Sequence, residues 1–143
     1  ILENHARINN IDIQIDLDDT IPIIAGDQAQ LQQVFLNLMT NAIDAMDEKA
    51  AQSDNGVCEK TLRIRTFSDN DSVVATVTDT GTGMTREVLD KLFEPFFTTK
   101  EVGKGTGLGV SISYGIIKDY DGEIEIDSEI GRGTTFMLRF PAV

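Results

Sequence analysis

The 143-residue chain has no tryptophan, one cysteine, one histidine and three prolines. The scarcity of cysteine excludes two arrangements. Cys58 alone cannot form an internal disulfide or a cysteine metal cluster. No apolar run approaches the ~20 residues that a membrane-spanning helix needs, and no cleavable signal is visible at the start. A reducing, cytoplasmic setting is the expectation. Basic residues are scarce too: 12 against 24 acidic, a net charge of −12. That balance argues against a nucleic-acid partner. It would also repel a phosphate ligand, so local lysines, helix dipoles and a divalent cation would have to offset the overall field.

The composition is otherwise that of a folded domain. Hydrophobic residues make up 41% of the chain, and a chain of this length buries roughly 68–70% of its unfolded surface. In "IDIQIDL", Ile11, Ile13, Ile15 and Leu17 alternate with polar residues, which predicts a half-buried strand. "IPIIA" reads as a second short extended segment. Asp27 caps a helix, with Gln30 as its expected reciprocal partner. That helix runs to about Lys49, with Leu31, Val34, Leu38 and Ala42 at core spacing. "TLRIRTF" and "SVVATVTD" form paired strands around "SDND", and "TREVLDKLF" a short helix capped by Thr85. A further helix stops near Gly122, and "EIEIDS" and "TTFMLRF" close the chain as a hairpin. Hairpins dominate this order. It predicts an α+β two-layer sandwich, with one mixed, mostly antiparallel sheet covered by helices on one face.

Three stretches carry chemistry. In the long helix, Gln33, Asn37, Asn41 and Ala45 recur every four residues and form one stripe. Asn37 and Asn41 either face solvent or serve as ligands, since an amide oxygen is a neutral hard donor suited to magnesium. "VTDTGTGM" ends a strand on Asp79, followed by Gly81 and Gly83. It reads either as a tight turn with an exposed acid or as a carboxylate for an exocyclic amine, with glycines that let a planar ligand approach. "LFEPFFTTK" gathers Phe93, Phe96 and Phe97, either as a local apolar plug or as a mobile lid or docking surface. It leads into "GKGTGLG", with four glycines in seven residues, Lys104 within and Lys100 just before. Bare backbone N–H groups, lysines and the following helix suit a phosphate chain. Neither the Walker A pattern nor GxGxxG fits.

Taken together, these stretches resemble the ATP-binding catalytic domain of sensor histidine kinases, in the superfamily shared with gyrase, Hsp90 and MutL. "NLMTNAIDAM" resembles the N box, "DTGTGM" the first glycine box, "LFEPFFTTK" the F box and "GKGTGLG" the second glycine box. "GRGTTFMLRFP" resembles the closing hairpin of the same family. The F-box form looks most like the nitrogen-regulator type. The likeness spans about Ile11 to Pro141 and implies a Bergerat-type fold over residues 11–143, with residues 1–10 a linker remnant from a dimerisation helix.

The resemblance assigns roles by position. Asn41 would coordinate Mg2+ and Asn37 would face the phosphates, with Asp44 and Ala45 completing the N box. Asp79 would take the adenine amine, supported by Gly81, Gly83 and Met84. Lys100, Gly103, Lys104, Gly105, Thr106, Gly107, Leu108 and Gly109 would wrap the triphosphate, and Thr134 would touch the adenine site. Catalysis would involve Asn37, Lys100 and Lys104. In gyrase-like ATPases the residue at position 37 is a glutamate that activates water. Asparagine cannot act as that base, so the γ-phosphoryl is kept for another nucleophile.

In this family that nucleophile is a histidine on a separate dimerisation domain. His5 is followed by alanine where the acceptor box needs an acid, so it belongs to the linker. The chain is then expected to bind Mg-ATP and to lack an acceptor of its own. It would act with the dimerisation domain of the same protein and with a response-regulator receiver domain. The isolated domain is expected to be a monomer and the full kinase a homodimer, with which a membrane anchor is compatible. An ATP-driven clamp would instead dimerise and turn over ATP alone. A pure interaction module would not bind ATP.

Overall fold

A computed structural model describes residues 11–18, 20, 24, 26–53, 59–92 and 109–142. Five strands form one sheet: β1 (Asp12–Leu17), β2 (Thr61–Asp69), β3 (Ser72–Asp79), β4 (Glu123–Glu129) and β5 (Gly133–Pro141). Their spatial order is β1-β2-β3-β5-β4. The β1–β2 pair is parallel, and the other three pairs are antiparallel. Parallel neighbours need a crossover, and here it is α1 (Gln28–Gln52). Two further helices are α2 (Arg86–Lys91) and α3 (Gly109–Asp119). This is the α+β sandwich with a mixed, mostly antiparallel sheet that the patterning predicts.

The core lies between α1 and the sheet. Val34, Leu38, Ala42, Ile43 and Met46 of α1 meet Leu62, Ala75, Val77, Phe136, Leu138 and Phe140 from β2, β3 and β5, and Ile117 of α3. Alternation along β5 puts Phe136, Leu138 and Phe140 inside and leaves Thr135, Met137 and Arg139 on the other face. Val74 is fully buried although it faces away from the helices. Its register partners are Phe67 and Arg139. Arg65 lies over the Phe67 ring, and Arg139 pairs with Asp69 at 2.9 Å. Long side chains therefore shield the centre of the open face.

Two local expectations are corrected. β1 is not half-buried throughout: Ile15 and Leu17 are 60% and 55% exposed. It is an edge strand, and α1 packs over β2, β3 and β5 instead. The reciprocal cap at the start of α1 is replaced by a long-range one. Asp27 does accept from the Ala29 N–H at 2.9 Å, but its own N–H donates to the Tyr120 hydroxyl at 3.0 Å. That hydroxyl in turn donates to Gln30 Oε1. The expected stop of α3 near Gly122 holds, with Asp121 in the left-handed conformation at φ 58°. The Gly122 N–H closes the helix on the Ile117 carbonyl at 2.9 Å. Most of "IPIIA" lies outside the described residues, but Ile24 forms an isolated bridge with Ala142.

Candidate functional site

α1 and α3 run antiparallel. Tyr120, at the end of α3, meets Asp27 and Gln30 at the start of α1. About two turns beyond Gln30 on α1, Asn37 donates to Ser113 Oγ at 3.1 Å. Moving four residues on along α1 and four back along α3 sets Asn41 level with Gly109. The N-terminal end of α3, which carries the helix's positive dipole end and unpaired N–H donors, therefore lies beside the asparagine stripe. The Asn37 amide is held from two sides, since its Oδ1 also accepts from Gln33 Nε2 at 2.8 Å. Asn37 and Asn41 are both half-buried, so the fully solvent-facing alternative does not hold. Leu38 and Ala42, next to them in sequence, are buried and anchor that face of the helix.

The stripe continues to Ala45, which meets the first glycine box. The Thr82 N–H donates to the Ala45 carbonyl at 3.3 Å. A Cβ on Gly81 would lie 2.7 Å from the Ala45 backbone, so the close approach of turn and helix requires glycine there. Gly83 has φ +73°, and a Cβ on it would fall 2.1 Å from the Glu129 carbonyl oxygen. The segment 80–83 is thus wedged between α1 and the β4–β5 turn. Asp44 and Ala45 are half-buried beside this contact.

Asp79 occupies the end of β3 and is only 5% exposed. Burial raises its pKa from 3.8 to about 6. Hydrogen bonds from the Gly81 N–H, at 2.8 Å, and from the Thr134 backbone work against that rise, as does the Lys49 cation. Thr134 sits opposite Asp79 in the β3–β5 register. Its hydroxyl meets Ser128 Oγ at 2.7 Å, and Ser128 Oγ also accepts from the Met84 N–H at 2.8 Å. Asp79, Gly81, Gly83, Met84 and Thr134 therefore converge, although 55 positions separate the acid from the threonine. A polar recess of about 180 Å³ lies at the same end of the sheet, and its lining by Thr78, Asp127 and Thr135 puts it on the face away from the helices. A larger apolar concavity, about 660 Å³, lies on the opposite flank of α1 against Leu31, Phe35 and Met39, away from these polar groups.

Of the phosphate-loop residues, Gly109 opens α3. Phe93, Pro95, Phe96, Phe97, Lys100, Gly103, Lys104, Gly105, Thr106, Gly107 and Leu108 lie outside the described residues, as do His5 and Cys58. Among the described residues no three His, Cys, Asp or Glu side chains converge as a metal cluster. A single half-buried carboxamide such as Asn41 fits a different donor chemistry. It can serve as one neutral oxygen ligand to a magnesium ion whose other ligands are waters and phosphate oxygens.

One residue escaped the sequence reading. Lys49 is the next member of the every-fourth-residue stripe after Ala45. Its ammonium donates to the Thr80 carbonyl at 3.2 Å and to the Gly131 carbonyl at 2.9 Å. Extending the stripe by one more turn would have found it.

A family model described as histidine kinase-, DNA gyrase B-, and HSP90-like ATPase matches residues 26–143. Sensor kinase CckA of Brucella abortus (strain 2308) is 47% identical over 144 residues, covering 95% of this chain and 15% of that protein. Sporulation kinase E of Bacillus subtilis (strain 168) is 42% identical over 141 residues, covering 99% of this chain and 18% of that protein. The chain thus spans less than a fifth of either relative. Among solved structures, the catalytic domain of histidine kinase ThkA, in a nucleotide-free form, superposes with a TM-score of 0.79 at 31% identity. That match covers 99% of this chain and 85% of the ThkA chain. Among the described residues no helix is long and apolar enough to cross a membrane.

Proposed function

The chain belongs to the histidine kinase-, DNA gyrase B- and HSP90-like ATPase family as the ATP-binding catalytic domain of a two-component sensor histidine kinase, and from that premise we propose how its residues divide the work. Asp79 accepts from the adenine amine, with Thr134, Gly81, Gly83 and Met84 around the base. Asn41 holds magnesium and Asn37 faces the phosphates. Gly109 and the N–H groups of the first turn of α3 take phosphate charge, assisted by Lys100, Lys104 and the glycines between them. The single observation that carries this reading is the antiparallel docking of α3 on α1. It sets a helix N-terminus level with Asn41, while the same stripe on α1 reaches the turn beside Asp79.

Magnesium bound there would neutralise phosphate charge in the transition state. The chain's own residues would then supply positioning and electrostatic stabilisation for in-line attack by an imidazole. Asn37 has no basic lone pair to offer water, and its amide is already engaged by Gln33 and Ser113. The γ-phosphoryl is therefore reserved for a histidine on the dimerisation domain of the same protein, and then for a receiver domain. Residues 1–10 serve as the linker to that dimerisation domain. We place the catalytic domain in the cytoplasm, as a monomer in isolation and as part of a homodimer in the full kinase. The "LFEPFFTTK" segment supports the nitrogen-regulator type within a family whose relatives are varied kinases.

The test is phosphoryl transfer from labelled Mg-ATP, with and without the cognate dimerisation domain. Label is expected on the histidine of that domain, and only when it is added. Rapid ATP hydrolysis by this chain alone would favour a clamp-type ATPase instead.

A further inference from the structure

Lys49 ties together three parts of the fold. It projects from the last turns of α1 and donates to two backbone carbonyls, Thr80 at 3.2 Å and Gly131 at 2.9 Å. Thr80 follows Asp79 directly, and Gly131 lies in the β4–β5 turn. The same two turns are joined a second time, by the Gly131 N–H donating to the Thr82 carbonyl at 2.9 Å. Backbone carbonyls facing one another repel unless a donor lies between them, and an ammonium supplies up to three donors. The Lys49 cation is also the charged side chain that opposes the effect of burial on Asp79. Asp127, Glu129 and Arg132 are the other ionisable groups near this turn, and they line the recess on the open face of the sheet.

We propose that Lys49 is a positioning residue for the nucleotide base: by bridging Thr80 and Gly131 it holds the two turns flanking Asp79 at a fixed separation, and so keeps the carboxylate in place at the end of β3. This rests on the reading of Asp79 as the adenine acceptor. The role is distinct from those of the asparagines on the same stripe, because Lys49 acts through the backbone behind the site and touches neither phosphate nor metal. It has two components. One is mechanical, through the two carbonyls. The other is electrostatic, because the cation favours the ionised form of Asp79 that accepts from an amine.

The experiment titrates this chain with Mg-ADP by calorimetry at a series of pH values spanning the Asp79 transition, for wild type, Lys49→Met and Lys49→Arg. The expected result for Lys49→Met is a loss of affinity of roughly tenfold at neutral pH, the scale of one charge-assisted hydrogen bond. Its pH midpoint for binding should also move upward from the wild-type value. Lys49→Arg keeps the charge and the donors and should restore most of both.

Wild-type affinity and midpoint in Lys49→Met would overturn the proposal. So would an equal, pH-independent loss in both variants, since that is what general destabilisation gives. If Lys49→Met shows no cooperative melt, Lys49→Gln is titrated against the same criteria. Absence of ADP binding by wild type at every pH would overturn the nucleotide reading itself, and this inference with it.

Discussion

The side-chain amide of Asn37 donates to the hydroxyl of Ser113 at 3.1 Å across the α1–α3 interface. Ser113 is fully buried. The bond fixes how α3 sits on α1, and so where the N-terminus of α3 meets the asparagine stripe. Removing one partner of this part-buried bond forfeits about 1 kcal/mol, the usual net worth of a hydrogen bond, with a further part from the methyl-sized change at the fully buried Ser113. Ser113→Ala is therefore expected to lower the unfolding free energy by about 1–2 kcal/mol in urea. It should also weaken Mg-ATP binding beyond what that destabilisation explains. An unchanged midpoint of unfolding would mean that the bond does not hold the helices in register.

Asp79 supplies a pH test with a definite sign. Its pKa in the folded chain, about 6, lies above the ordinary 3.8. The folded state binds this proton more tightly than the unfolded state does. The Asp79 contribution to stability is thus fully present below about pH 4, declines as pH rises to about 6, and stays lost above that. The full span corresponds to ~3 kcal/mol, at 1.36 kcal/mol per unit. Asp79→Asn keeps the acceptor for the Gly81 N–H and removes the buried charge. It is expected to be more stable than wild type at neutral pH by up to ~3 kcal/mol, with the gain shrinking as pH falls. Its ATP affinity should collapse over the same range. Thermal melts at several pH values, paired with nucleotide titration, check both signs.

Gly83 combines a left-handed backbone with a carbonyl 2.1 Å from where a Cβ would stand. Gly83→Ala must move the β4–β5 turn or the glycine box. The expected cost exceeds ~2 kcal/mol, from backbone strain together with a clash against main chain rather than a yielding side chain. Gly131→Ala shares the positive φ but meets nothing within 4 Å, so it should cost less. Denaturant unfolding of the two variants side by side measures the difference.

The fold was legible wherever one element's own periodicity decides it. The alternation in β5 and the buried stripe of α1 set the two layers, and the caps Asp27 and Thr85 mark two helix starts. What the pattern misses depends on partners distant in the chain. Tyr120 displaces Gln30 at the α1 cap from 93 positions away. The exposure of Ile15 and Leu17 follows from where α1 crosses the sheet, which alternation within β1 cannot tell. In the site, the asparagine stripe and "DTGTG" were readable because each is local. Their convergence was not, since it needs the α1–α3 docking and the β3–β5 register. Lys49 lies one turn beyond the stripe as read, and its acceptors Thr80 and Gly131 are distant in the chain.

The most direct test of the central claim is calorimetric titration with a non-hydrolysable ATP analogue, with and without magnesium, for wild type and Asn41→Ala. If Asn41, the first turn of α3 and Asp79 form one nucleotide site, wild type binds in a magnesium-dependent way. Asn41→Ala should then lose that dependence and most of its affinity. Magnesium-independent binding that is equal in the two proteins would contradict the account, as would the absence of any binding by wild type.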